Sequence, residues 1–94
     1  MPQSLSRVLI HLVFSTKNRT PWLTDDIRCE LHPYLSVLLN DNDCQSLQVG
    51  GVEDHVHLLF GLSRTTTIAA IVETLKVASS KWIKTKDRQL AEFH

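Results

Sequence analysis

Between Thr66 and Lys84 the apolar residues Ile68, Ile71, Leu75, Ala78 and Trp82 fall at steps of three, four, three and four. That spacing is one face of an α-helix, so a long amphipathic helix is predicted over about 66–84, with a stripe that needs an apolar surface to lie on. Three segments could supply that surface as strands. Residues 5–15, Leu-Ser-Arg-Val-Leu-Ile-His-Leu-Val-Phe-Ser, are rich in β-branched and aromatic side chains and contain no Gly or Pro. Residues Cys44 to Val49 alternate in polarity, and His55 to Leu62 form a third apolar run, antiparallel to the second because the connection is so short.

A second helix is predicted after Thr24, which has N-cap chemistry and is followed by Asp25 and Asp26, where the helix dipole favours negative charge. Its apolar positions are Ile27, Leu31, Leu35, Leu38 and Leu39, and Pro33 in its interior removes one backbone hydrogen bond, predicting a kink over 29–33. Asn40 to Asp43 is turn chemistry, and Gly50-Gly51 suggests a bulge or tight bend. The order is β-α-β-β-α. It defines an α+β, ferredoxin-like fold with an antiparallel sheet, βαββα(β), whose final strand is absent unless Glu92-Phe93-His94 begins it. Such a sheet leaves an edge to be covered, paired or exposed.

At 94 residues the chain makes one small domain, short for a full catalytic cleft, so a partner subunit is plausible. Ten basic and ten acidic side chains exclude the uniform positive charge of a duplex-coating protein. Acids gather at Asp25, Asp26, Glu30, Asp41 and Asp43, whereas Lys76, Lys81, Lys84, Lys86 and Arg88 crowd the C-terminal third, which leaves room for a basic face. Cys29 and Cys44 lack metal or redox spacing, and neither a signal peptide nor a membrane-length apolar run occurs. The expectation is a reduced, soluble, cytoplasmic protein with no membrane partner.

His55-Val56-His57 opens the third strand. Alternation puts both imidazoles on one face, where they can share a metal, and Asp54 or Glu53 could serve as an oxygen ligand or fix an imidazole tautomer. Useful binding needs three or more ligands, and the sequence displays two. From spacing alone, a metal pair and a pair of half-buried histidines satisfied by ordinary hydrogen bonds are both open.

Glu53-Asp54-His55-Val56-His57-Leu58-Leu59-Phe60 resembles the HUH strand of the single-tyrosine transposases of small bacterial insertion sequences and their REP-associated relatives. The likeness extends to His11-Leu12-Val13-Phe14-Ser15-Thr16-Lys17-Asn18-Arg19, to Gln48-Val49-Gly50-Gly51-Val52, and to Leu75-Lys76 with Ser79-Ser80-Lys81-Trp82-Ile83, covering essentially the whole chain. The resemblance implies a transposase domain that acts as a homodimer on hairpin-flanked single-stranded DNA. It implies His55 and His57 as ligands of a divalent metal, Mg or Mn, that polarises the scissile phosphate. A tyrosine then attacks phosphorus to leave a 5′-phosphotyrosine. Imidazole suits Mn²⁺ better than the oxygen-preferring Mg²⁺.

In the family the nucleophilic tyrosine and the third ligand lie on a helix after the final strand, in a Tyr-x-x-x-Gln pattern. Residues 1–94 hold no such segment and correspond to the N-terminal portion of the domain. Tyr34, the only tyrosine, sits beside Pro33 in the first helix and is read as a packing residue, which leaves the catalytic position empty. DNA-contact candidates are Lys17 and Arg19 in the loop after the first strand, and Lys76 and Lys81 off the apolar stripe of the last helix, although solvated surface cations would look the same. Trp82 is expected in the core, Trp22 as a cover for the first helix, and His11 as a structural histidine. The alternative function is an inert remnant or DNA-binding and dimerisation module without strand transfer.

Overall fold

The computed structural model describes residues 8–85. Strand β1 (Leu9–Ser15) is followed by a short 3-10 turn (Lys17–Arg19), helix α1 (Asp25–Asp41), strands β2 (Gln45–Val52) and β3 (His55–Gly61), and helix α2 (Ile68–Lys84). The expected closing strand from Glu92, together with Lys86 and Arg88, lies outside the described residues.

Both helices start where a hydroxyl can accept an otherwise unpaired backbone N–H. Thr24 accepts from Ile27 and Thr67 from Ala70, the latter moving the start of α2 two residues beyond Thr66. Helix α1 runs as one 17-residue element through Pro33. Pro33 and Cys29 are both exposed, so the carbonyl deprived of its donor lies on the solvent side, where water can satisfy it.

The sheet has the order β1-β3-β2 and both pairings are antiparallel, so β3 is hydrogen-bonded on either side. From His55 to Phe60 its residues alternate: Val56, Leu58 and Phe60 are fully buried while His55, His57 and Leu59 are half-exposed. Across the ladder Phe14 pairs with Val56, Leu12 with Leu58 and Ile10 with Phe60 on the buried side. Leu31, Leu35 and Leu39 of α1 and Ile71, Leu75 and Ile83 of α2 join these residues in one core. Both helices therefore cover the same face of the sheet. The other face carries Leu9, His11, Val13 and Ser15 from β1 beside the β3 histidines, uncovered among the described residues. This is the α+β antiparallel arrangement of a ferredoxin-like fold through its second helix.

Three details differ from the sequence-based expectation. The sheet irregularity falls between Ser46 and Gln48, where Leu47 is the extra residue, while Gly50 and Gly51 stay in the ladder. The buried face of α2 is Ile71, Leu75, Ser79 and Ile83, spaced by four, and Ile68 is 49% exposed. Trp82 turns out of that line to stack on Tyr34 of α1, with ring centroids 5.6 Å apart and planes 21° from parallel. Among the described residues no helix is long and apolar enough to cross a membrane.

Because Leu58 is fully buried at the centre of the middle strand, Leu58→Ala is expected to cost about 2–5 kcal/mol, and Val13→Ala on the uncovered face no more than roughly 0.5 kcal/mol. Urea unfolding monitored by circular dichroism measures both.

Candidate metal and DNA site

The histidines stand at the mouth of the β2–β3 hairpin, whose two-residue connection Glu53-Asp54 is tied to the loop before α1. Leu23 N–H donates to the Glu53 carbonyl and Thr16 N–H to the Asp54 carbonyl, both at 2.9 Å. The Thr16 side chain, 3% exposed, donates to the Thr20 carbonyl at 2.6 Å and lies 3.3 Å from the Asp54 carbonyl. The two backbone bonds, one of them from Thr16, staple the loop to the hairpin, and the buried Thr16 hydroxyl closes the loop on the Thr20 carbonyl, which together fix where β3 begins.

The two imidazoles lie on the uncovered face with ring centroids 6.2 Å apart and planes inclined at 34°. His55 Nδ1 is 2.9 Å from Asp54 Oδ1. An ionised carboxylate only accepts, so Nδ1 carries a proton; whenever the ring is neutral this tautomer leaves Nε2 free, the form a metal ligand requires. That hydrogen bond and, secondarily, the Arg19 guanidinium hold the Asp54 carboxyl below its ordinary range, outweighing an opposing desolvation. Arg19 Nε lies 3.5 Å from Asp54 Oδ2, and another of its nitrogens donates to Ser15 Oγ at 3.1 Å.

Glycine next to the pair has a steric reason. Gly50 is the cross-strand partner of His57, and a Cβ there would stand 3.1 Å from His57 Cε1 and 3.2 Å from its Nε2. Hydrogen at that position leaves the ring space to lie over β2. Gly51 has φ +153°, and a Cβ would meet the His55 carbonyl oxygen at 2.3 Å, so no side chain fits. The turn after β1 is also strained: Asn18 and Arg19 both take left-handed conformations, at φ 57° and 54°. Asn tolerates this, but for Arg19 it costs on the order of 1 kcal/mol.

His11 belongs to the same surface. It pairs with Leu59, is exposed, and meets His57 edge to face at 5.8 Å, a contact with the pair that the reading of His11 as a structural histidine did not include. The missing signal was strand parity: His11 is out of phase with Phe14 and in phase with Ser15, which becomes legible once β1 is registered against β3. Among the described residues, no group of three or more His, Cys, Asp or Glu side chains is placed to hold a metal ion. His55 and His57 together make up two potential ligands, fewer than the three or more that useful binding needs.

On α1, His32 has its Nε2 buried without a hydrogen-bond partner. Burial lowers its pKa, and positive charge on Arg28 and His57 lowers it further, which puts His32 within electrostatic reach of the pair.

Of the DNA-contact candidates, Lys17 and Arg19 lie in the turn beside the histidines. Lys76 and Lys81 are exposed on α2, on the helix-covered side of the sheet. A strand lying across the histidines does not meet them without passing around the domain. Lys81 instead borders an open groove of about 610 Å³ between the helices, with Tyr34, Val77 and Trp82.

The fold and this surface define an α+β domain with a histidine pair on a sheet face that the described residues leave uncovered. The family described as "Transposase IS200 like" matches residues 4–93, and the chain belongs to it. The structure is similar to the crystal structure of a putative transposase from Deinococcus radiodurans R1, with a TM-score of 0.85 and 24% identity over 99% of this chain and 78% of that one. No curated protein matches. The chain is thus a transposase domain, and DNA is the partner its family implies.

Two outcomes follow from this geometry. Gly50→Val is expected to displace the His57 ring and shift its imidazole resonances while those of core Leu58 stay near their places, as read by NMR. His32, with its folded pKa lowered, contributes stability that is whole above the unfolded value of 6.5 and is lost as pH falls through it toward the folded value. Between about pH 7.5 and 5.5 the urea midpoint should therefore drop more for the wild type than for His32→Gln.

Proposed function

We propose that this domain binds single-stranded DNA across the uncovered sheet face and holds a divalent metal ion, Mg²⁺ or Mn²⁺, between His55 and His57, as the single-tyrosine HUH transposases do. The observation that carries the reading is the pair itself: two neighbouring imidazoles facing outward, one held at Nδ1 by Asp54, the other given room by Gly50. These features fit two ligands of one ion. Bound there, the ion would polarise a phosphodiester and stabilise charge developing on it.

The chain's own residues do the positioning. Asp54 fixes the His55 tautomer, and the Thr16 backbone staple sets the height of the hairpin against the turn to which Lys17 and Arg19 belong. Those two cations would take neighbouring phosphates and set the register of the strand. Lys76 and Lys81 would meet a flanking segment, such as a hairpin stem, on the helix side.

Tyr34 does not fit the role of nucleophile. It is half-buried on α1 against Trp82, with the sheet between it and the histidines. That placement favours a second reading, a binding and dimerisation module in which residues 8–85 contribute no strand transfer. Gel shifts with hairpin-flanked single-stranded DNA separate the two. Binding that weakens steeply with salt, is strengthened by Mn²⁺ and loses that Mn²⁺ effect in His57→Ala is expected. A covalent adduct abolished by Tyr34→Phe would overturn the placement of that residue. Binding indifferent to Mn²⁺ and to His57→Ala would remove the metal from the reading. Light scattering at tens of micromolar is expected to show a homodimer.

A further inference from the structure

We infer that Arg19 is a positioning residue for the His55 imidazole, acting through Asp54, beyond any contact it makes with phosphate. The inference rests on the proposed reading of the histidine pair and adds a residue to it. The two oxygens of one carboxylate are divided between two partners, Oδ1 facing His55 Nδ1 at 2.9 Å and Oδ2 facing Arg19 Nε at 3.5 Å. A carboxylate held at both ends cannot rotate away from the imidazole without breaking one contact. Arg19 is itself anchored by donating to Ser15 Oγ at 3.1 Å, and Ser15 is the cross-strand partner of His55. The guanidinium therefore bridges the end of β1 to the residue preceding β3.

The backbone is bent to make this possible. Consecutive left-handed residues Asn18 and Arg19 close the turn, with Arg19 N–H donating to the Thr16 carbonyl at 3.0 Å. A left-handed arginine is unfavourable, and the surrounding structure holds it where its side chain returns over the strand it has just left. The ion pair is a poor candidate for stabilising the fold, since the Arg19 side chain is 64% exposed and screened by water. What it supplies is direction.

The test separates orientation from phosphate binding by working first without metal or DNA. Long-range ¹H–¹⁵N NMR of the metal-free full chain, at a pH where His55 is neutral, reads which ring nitrogen carries the proton. The wild type is expected to show the Nδ1–H form, Asp54→Ala to shift toward Nε2–H, and Arg19→Ala to fall between them. Arg19→Lys, which keeps charge without the planar fork, should recover part of the wild-type signal. Mn²⁺ titration should then show affinity reduced roughly tenfold or more in Arg19→Ala and Asp54→Ala, with the double variant no worse than Asp54→Ala alone. A wild-type tautomer together with wild-type Mn²⁺ affinity in Arg19→Ala, accompanied by weaker DNA binding, would overturn the inference and leave Arg19 a phosphate contact. If the wild type itself bound no Mn²⁺, the metal reading of the pair would fall, and the tautomer measurement alone would decide the role of Arg19.

Discussion

Burial of Val56, Leu58 and Phe60 decides which way everything else on β3 faces. These three side chains sit in the centre of the core, flanked by β1 on one side and β2 on the other, and both helices close over them. With a side-chain period of two, anchoring them turns His55 and His57 outward as a matter of geometry, with no separate device for orienting the histidines. A slip of one residue would bury both imidazoles and expose Leu58 and Phe60. The orientation of the candidate site is thus secured by the hydrophobic energy of the whole domain, whereas its finer adjustment rests on Asp54, Gly50 and the Thr16 staple.

That separation explains why the neighbourhood of the pair contains groups that add little to folding. Gly50 and Gly51 lie inside a strand, where glycine is entropically poor, and each is required by the approach of a residue across the ladder. The left-handed turn at Asn18 and Arg19 is another local cost. Such costs are sustainable because the core is assembled elsewhere, on the opposite face of the sheet, and does not depend on them.

Much of the architecture was legible in the sequence, for identifiable reasons. The Thr24 cap, the helical spacing from Ile68 to Trp82 and the apolar runs of β1 and β3 are signals carried within a few residues, and the β-α-β-β-α order follows from them. The shared outward face of His55 and His57 follows from their spacing once that strand is recognised. What escaped depended on pairing between distant segments. The membership of His11 in the histidine surface needs the β1–β3 register, and the rotation of the α2 buried face to Ser79 and Ile83 reflects Trp82 finding Tyr34 on the other helix. Lys76 and Lys81 could be placed on an exposed helix face from the pattern alone, but which side of the sheet that helix covers could not.

A histidine pair on an uncovered sheet is a different kind of site from one at the bottom of a pocket. Among the described residues nothing encloses it, and its neighbours Val13 and Gly50 form a low floor. In the proposed reading, a DNA strand would be laid on this described surface from the side, without a free end having to be threaded in. Removal is equally lateral. On the same reading a long strand would be engaged and released in its middle, and contacts along the rim, where the turn carrying Arg19 stands, would set how long it stays.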